Sequence, residues 1–193
     1  MTRGLHLTGW TYVAACGLAL TAWSWRRAAT HAASPAIVAD PHGSAEQWFA
    51  ALKPYCNAVE VEIRQQQSPP PATLAGAGYS AACYALAGRI DQARAMINRV
   101  ATAKRWRAAG IVFDVGHPVA DAGDDRSAGP IMELVLEYWP NNYMALYHAG
   151  MSEYALGQQD LARTHLQQFL NLYTNNDGWR QNARATLDRL DAS

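Results

Sequence analysis

The stretch YMALYHAGMSEYALGQQDLARTHLQQFLNLYTNN, residues 143–176, carries the pattern that decides the fold. Within it, Gly157 is followed five residues later by Ala162. The same pair stands at Gly123/Ala128 and at Gly88/Ala93, so the glycines recur at intervals of 34 and 35 residues. After each alanine, apolar residues continue at helical spacing: Leu166 and Phe169, Met132 and Val135, Ile97 and Val100. A helical hairpin explains the pattern. The glycine lets the chain turn between two antiparallel helices, and the alanine lies where they pack closest.

In this phase the residues resemble the tetratricopeptide repeat (TPR) family, whose unit of about 34 residues has small residues near its eighth, fifteenth and twentieth positions. The third unit, residues 143–176, supplies Gly150, Gly157 and Ala162. The middle unit, 109–142, supplies Gly116, Gly123, Ala128 and Pro140; the first, 74–108, supplies Ala81, Gly88 and Ala93. The resemblance implies an all-α, TPR-like helical-hairpin solenoid over residues 44–193. Pro118 falls in the first helix of the middle unit, so that helix is expected to end near Gly116 and leave an irregular loop from His117 to Arg126. Asp177 reads as the N-cap of a capping helix over 178–191, with Trp179, Ala183, Leu187 and Leu190 on its apolar stripe and Arg180, Arg184 and Arg189 outward.

Ahead of the repeats, Ser44 opens an expected helix bearing Trp48, Phe49 and Leu52 and limited by Pro54. Asn57 and Glu60 suggest a capping box for a second helix ending near Gln67. Ala58 lies 35 residues before Ala93, which makes these two helices a candidate fourth hairpin. Residues 68–71 then read as an extended break.

The N-terminal residues 1–27 read as one transmembrane helix, followed by a linker over 28–43. Residues 8–25 lack Asp, Glu, Lys and Arg, carry Trp10, Tyr12, Trp23 and Trp25 near their ends, and are followed by Arg26 and Arg27. A cleaved signal segment is the competing reading, since small residues lie around Thr30 to Ser34. Val13 to Cys16 matches a lipobox in letters, yet the apolar run continues past the cysteine. The expected location is a bacterial inner membrane, single-pass, with the helical domain periplasmic.

Sixteen basic and sixteen acidic residues balance to a formal net charge of zero, which gives no support to a nucleic-acid partner. Arg89, Arg94, Arg99, Lys104, Arg105 and Arg107 gather in the first unit, while acidic residues dominate the middle one. The two blocks are expected to attract each other along the stack. Cys56 and Cys83 fall on expected consecutive helices; a disulfide and a pair of reduced, buried thiols both stay open.

No nucleophile elbow, phosphate loop, dinucleotide fingerprint or haem attachment motif occurs, so neither an enzyme nor a cofactor is expected. No metal site is expected either. The alternative is a divalent cation held by His117, Asp121, Asp124 and Asp125, against which stands the bland reading of a solvated turn whose Asp124 or Asp125 caps a helix. The resemblance implies instead a concave groove lined by the second, fifth, ninth and twelfth residues of each unit's first helix. In the third unit these are Met144, Tyr147, Met151 and Tyr154; the middle unit adds Phe113 and His117, and the first offers Ala75, Gly78, Ala82 and Ala85. Such a surface suits an apolar peptide or an amphipathic helix, while a Met and Tyr stripe filled from within the chain is the competing structural reading. The expected function is a non-catalytic, membrane-anchored interaction scaffold, accessory to a bacterial membrane complex. Two alternatives accompany it: a structural subunit whose groove the complex fills, and a metal-dependent enzyme using residues 117–125.

Overall fold

Residues 44–192 are described by the computed structural model; the expected span at 8–25, its signal alternative and the linker at 28–43 lie outside the described residues. Among the described residues there are nine α-helices and no strand, and no helix is long and apolar enough to cross a membrane. The helices are α1 (Ala45–Leu52), α2 (Val61–Gln67), α3 (Leu74–Leu86), α4 (Ile90–Asn98), α5 (Arg105–Asp121), α6 (Asp125–Tyr138), α7 (Tyr143–Ala155), α8 (Gln159–Leu172) and α9 (Gly178–Asp191).

The three hairpins α3/α4, α5/α6 and α7/α8 turn at the three phased glycines. Gly88, Gly123 and Gly157 have φ of 70°, 76° and 76°, a left-handed conformation that other residues adopt only at a cost. Each closes its helix in the same way. The N–H of the following residue reaches back to a carbonyl of the last turn: Arg89 to Tyr84, Asp124 to Val119, and Gln158 to Glu153. Five residues on, Ala93, Ala128 and Ala162 are fully buried. At the eighth position of the third unit, a Cβ built on Gly150 would stand 2.7 Å from Leu166 Cγ, so α7 and α8 approach too closely for any side chain there. Leu166 and Phe169, both fully buried, each contribute about 1.5–3 kcal/mol through removal from water.

Hydrophobic clusters run along the stack. The central one joins α3 to α7 through Ile97, Val112, Ile131, Met132, Leu134 and Val135. At the amino end, Trp48, Phe49 and Leu52 pack with Val61 and Cys83, and Phe49 stacks on Tyr79 at 4.9 Å. A capping box between Ser44 and Gln47 starts α1. A disulfide joins Cys56 to Cys83 across a Cα separation of 4.9 Å, tying the turn after α1 to α3. Cys56 thus lies in a turn rather than on a helix. At the carboxyl end α9 covers α7 and α8, burying Ala183 and Leu190. Between the first two hairpins, Arg94 makes a bidentate pair with Glu137 at 2.7 and 2.8 Å, joining the basic and acidic blocks.

Four local expectations are corrected. First, α5 does not stop near Gly116 but continues through Pro118 to Asp121, so there is no loop from His117 to Arg126. Proline removes only its own N–H, the one that would reach Asp114; the exposed end of α5 is otherwise closed by Ala122 N–H donating to Pro118 O at 3.1 Å. Second, the Asn57–Glu60 box is only half formed: Asn57 Oδ1 accepts from the N–H groups of Val59 and Glu60, but the Glu60 carboxylate accepts from the Asn57 side-chain amide, not its backbone N–H, and α2 begins only at Val61. Third, Ala58 is exposed whereas Ala93 is fully buried, so α1 and α2 do not repeat the close contact of the other hairpins. Fourth, Arg180 turns inward: its guanidinium donates to the carbonyls of Leu170 and Tyr173, satisfying the end of α8.

Candidate functional site

The continuation of α5 past Pro118 sets the site. His117 and Asp121 are four residues apart on one helix, so both project from the same face, one turn from the other. The neighbouring α7 presents His148 to them. The Nε2 atoms of His117 and His148 lie 2.9 Å apart, and Asp121 Oδ1 lies 3.6 Å from the first and 3.7 Å from the second. The carboxylate is too far to hydrogen-bond either ring, while the two imidazoles share one proton between facing nitrogens.

Surrounding rings fix both imidazoles. Phe113, one turn before His117, stacks on it at 4.9 Å. His148 meets the edges of Tyr147 at 5.2 Å and Trp179 at 5.7 Å. Burial, and then the proximity of His117, push the pKa of His148 down to about 4 against a weaker upward pull from Asp121, so His148 is neutral at physiological pH. The cluster is graded in exposure: the His148 side chain is 6% exposed, that of His117 29% and that of Asp121 47%. It opens to solvent on the Asp121 side.

The aromatic contacts continue beyond the histidines. Tyr147 packs on Trp179 and on Phe169, Phe169 stacks on Tyr173, and Tyr173 meets Tyr143 at 5.2 Å. Rings from α5, α7, α8 and α9 therefore form one strip from Phe113 to Tyr143, with Trp179 and Tyr143 presenting exposed edges.

The residues expected to line a groove are distributed differently. Phe113 and His117 belong to this strip and are half-buried, as are Met144 and Tyr154. Tyr147 is only 5% exposed, and the Met151 sulfur accepts from Thr186 Oγ1 on α9. Tyr147 is thus a packing residue beneath the capping helix rather than a free wall, and Met151 is half-buried against the same helix. In the first hairpin Gly78, Ala82 and Ala85 are buried and Ala75 is half-buried, so the shallow end expected there is closed by packing. Of the four residues weighed as cation ligands, Asp124 caps α6 by accepting from Ser127 N–H, and Asp125 accepts from Ser152 Oγ. Only His117 and Asp121 face a common point. Sequence reasoning missed His148 and Trp179 as their neighbours. The signal was present in the stacking itself, because adjacent first helices bring residues about 31 positions apart into contact, as His117 and His148 are.

A second buried polar contact lies on α7. Glu153, 1% exposed, accepts from His165 Nδ1 with both carboxylate oxygens at 2.8 and 2.9 Å, linking α7 to α8. It faces away from solvent and serves the packing of the hairpin.

Comparison with known proteins is confined to one segment. No curated protein and no solved structure matches the chain. Residues 144–176, which hold all of α7 but its first residue and the whole of α8, match the family model of the tetratricopeptide repeat.

Proposed function

We propose that this chain is a non-catalytic protein–protein interaction scaffold, held at a bacterial inner membrane by its N-terminal segment and serving as an accessory or assembly subunit of a membrane complex. The tetratricopeptide repeat match at 144–176 supports an interaction module, since helical solenoids bind through extended surfaces rather than through a conserved reaction. The observation that carries the reading is the aromatic strip from Phe113 to Tyr143. A row of rings with exposed edges at Tyr143 and Trp179 and half-buried Met144 and Phe113 offers apolar area with polar tips, which suits an apolar peptide or one face of an amphipathic helix. The Cys56–Cys83 disulfide supports a periplasmic placement of the helical domain, because such bonds persist in oxidising compartments.

The test is mass spectrometry of what co-purifies with the tagged full chain from its own membranes in mild detergent, beside a Phe113→Ala/Trp179→Ala variant of unchanged helicity. These positions are chosen because their rings are partly exposed, whereas Tyr147 is buried. A stoichiometric partner lost in the variant supports the scaffold and its strip. A partner retained moves the interface elsewhere on the molecule, and the absence of any partner overturns the scaffold reading.

A further inference from the structure

The His117, His148 and Asp121 side chains are more than an incidental contact. Facing imidazole nitrogens at 2.9 Å leave room for one proton, and the nearest carboxylate oxygen sits 3.6 and 3.7 Å away without a bond to either. The three atoms form a triangle with edges of 2.9, 3.6 and 3.7 Å. The point equidistant from all three lies about 2.0 Å from each, and zinc bonds to imidazole nitrogen or carboxylate oxygen measure roughly 2.0–2.2 Å. An ion raised slightly above the plane stands about 2.1 Å from each atom, and the two rings need part by only about 0.5 Å to open the angle between the nitrogens to the tetrahedral value.

We infer that His117 Nε2, His148 Nε2 and Asp121 Oδ1 form a binding site for one divalent first-row transition-metal cation, which links α5 to α7 and keeps its remaining positions open to solvent. Two imidazoles and one carboxylate are donors of intermediate hardness, suited to Zn²⁺, Co²⁺, Ni²⁺ or Fe²⁺; a single carboxylate is too few oxygens for Ca²⁺ or Mg²⁺. The ligands are preorganised. His117 and Asp121 ride on one helical face, Phe113 stacks on the His117 ring, and Tyr147 and Trp179 hold the His148 ring edge-on. On metal binding, the proton shared by the two Nε2 atoms moves to an Nδ1, and each Nε2 donates its lone pair to the cation. The exposed Asp121 side is where water or an external ligand completes the shell. The site shares rings with the strip but does not rest on the scaffold reading, because metal binding is read without a partner and either can fail alone.

The test uses the full chain, purified in mild detergent without a histidine tag, stripped with a chelator and titrated with Co²⁺ and then Zn²⁺. The other histidines are His6, His31, His42 and His165, so His6, His31 and His42 are replaced by Ala in the parent to remove binding outside the cluster. The expected result is one Co²⁺ per chain with visible absorption bands of a four- or five-coordinate nitrogen and oxygen site, displaced by one equivalent of Zn²⁺. His117→Gln and Asp121→Asn, both partly exposed, each weaken binding at least tenfold while circular dichroism stays unchanged. His148→Ala abolishes it; because that residue is buried and its loss can disturb packing, the two partly exposed variants carry the test. Failure to bind stoichiometric metal, or binding that His117→Gln and Asp121→Asn leave within twofold of the parent, overturns the site.

Discussion

Replacing Gly150 by Ala sets two effects of opposite sign against each other. Gly150 lies in the middle of α7, where alanine ordinarily stabilises a helix by about 0.5–1 kcal/mol. Its Cβ, however, would stand 2.7 Å from Leu166 Cγ, 2.9 Å from Cδ2 and 3.2 Å from the Leu166 backbone nitrogen. Leu166 is fully buried, and a rotamer change cannot move its backbone, so α8 itself must shift. Overpacking of this kind costs about 1–3 kcal/mol, leaving a net loss of up to about 2.5 kcal/mol after the helical gain. Gly110, on α5, is the internal control, because a Cβ there meets only Trp139 Cζ3 at an ordinary 3.7 Å. Gly110→Ala is therefore expected to gain about 0.5–1 kcal/mol. Equilibrium urea unfolding of the full chain, followed by circular dichroism at helical wavelengths, measures both, and thermal midpoints should move by roughly 2–4 °C per kcal/mol. A Gly150→Ala protein at least as stable as its parent would refute the account of why α7 and α8 pack as they do.

Three further outcomes are expected. Cys56→Ser/Cys83→Ser lowers unfolding stability by about 3–4 kcal/mol, the loop entropy expected for cysteines 27 residues apart, and dithiothreitol does the same to the parent; an unmoved urea midpoint in either case would show that the bond contributes nothing. Glu153→Ala leaves His165 Nδ1 without its buried acceptor and costs about 2–4 kcal/mol, read from the same denaturation curves, with little loss counting against a tight α7/α8 contact. In the presence of a chelator, stability falls as pH drops from 6.5 towards 4, because the unfolded chain protonates His148 before the folded chain does. The groups facing it are His117, Asp121, Tyr147 and Trp179, and the loss attributable to His148 reaches about 3 kcal/mol near pH 4. His148→Asn should flatten that part of the profile, and an unchanged difference between pH 7 and pH 4 would refute it.

The hairpins were legible because their signals are backbone signals. Gly88, Gly123 and Gly157 stand where only positive φ closes the turn, and Ala93, Ala128 and Ala162 are fully buried between the helices, so residue identity alone carries the information. Pro118 misled for the opposite reason. Its missing donor is a real cost in the interior of a long helix, but close to a solvated end the rest of the turn holds without it. Tyr147 and Met151 read as a groove because helical phase tells which face a residue occupies, not what lies on that face; here α9 lies on it. The same gap hid the histidine pair. His117 and His148 are 31 residues apart, and only the packing of α5 against α7 makes them neighbours. Arg180, expected outward, was drawn in by carbonyls that sequence cannot show to be unpaired.

The disulfide also changes how this domain would bear a mechanical load. Tension applied between the two ends of the chain passes through the sulfurs from Cys56 to Cys83 and bypasses everything between them, including α2 and the Pro69 to Pro71 segment. Those 27 residues of separation are hidden length. Fully drawn out they would add about 90 Å of contour, at roughly 3.3–3.6 Å per residue. In a pulling experiment that increment should be silent in oxidising buffer and appear as an extra extension in reductant, making the Cys56–Cys83 bond a chemical setting for how far the domain can be stretched.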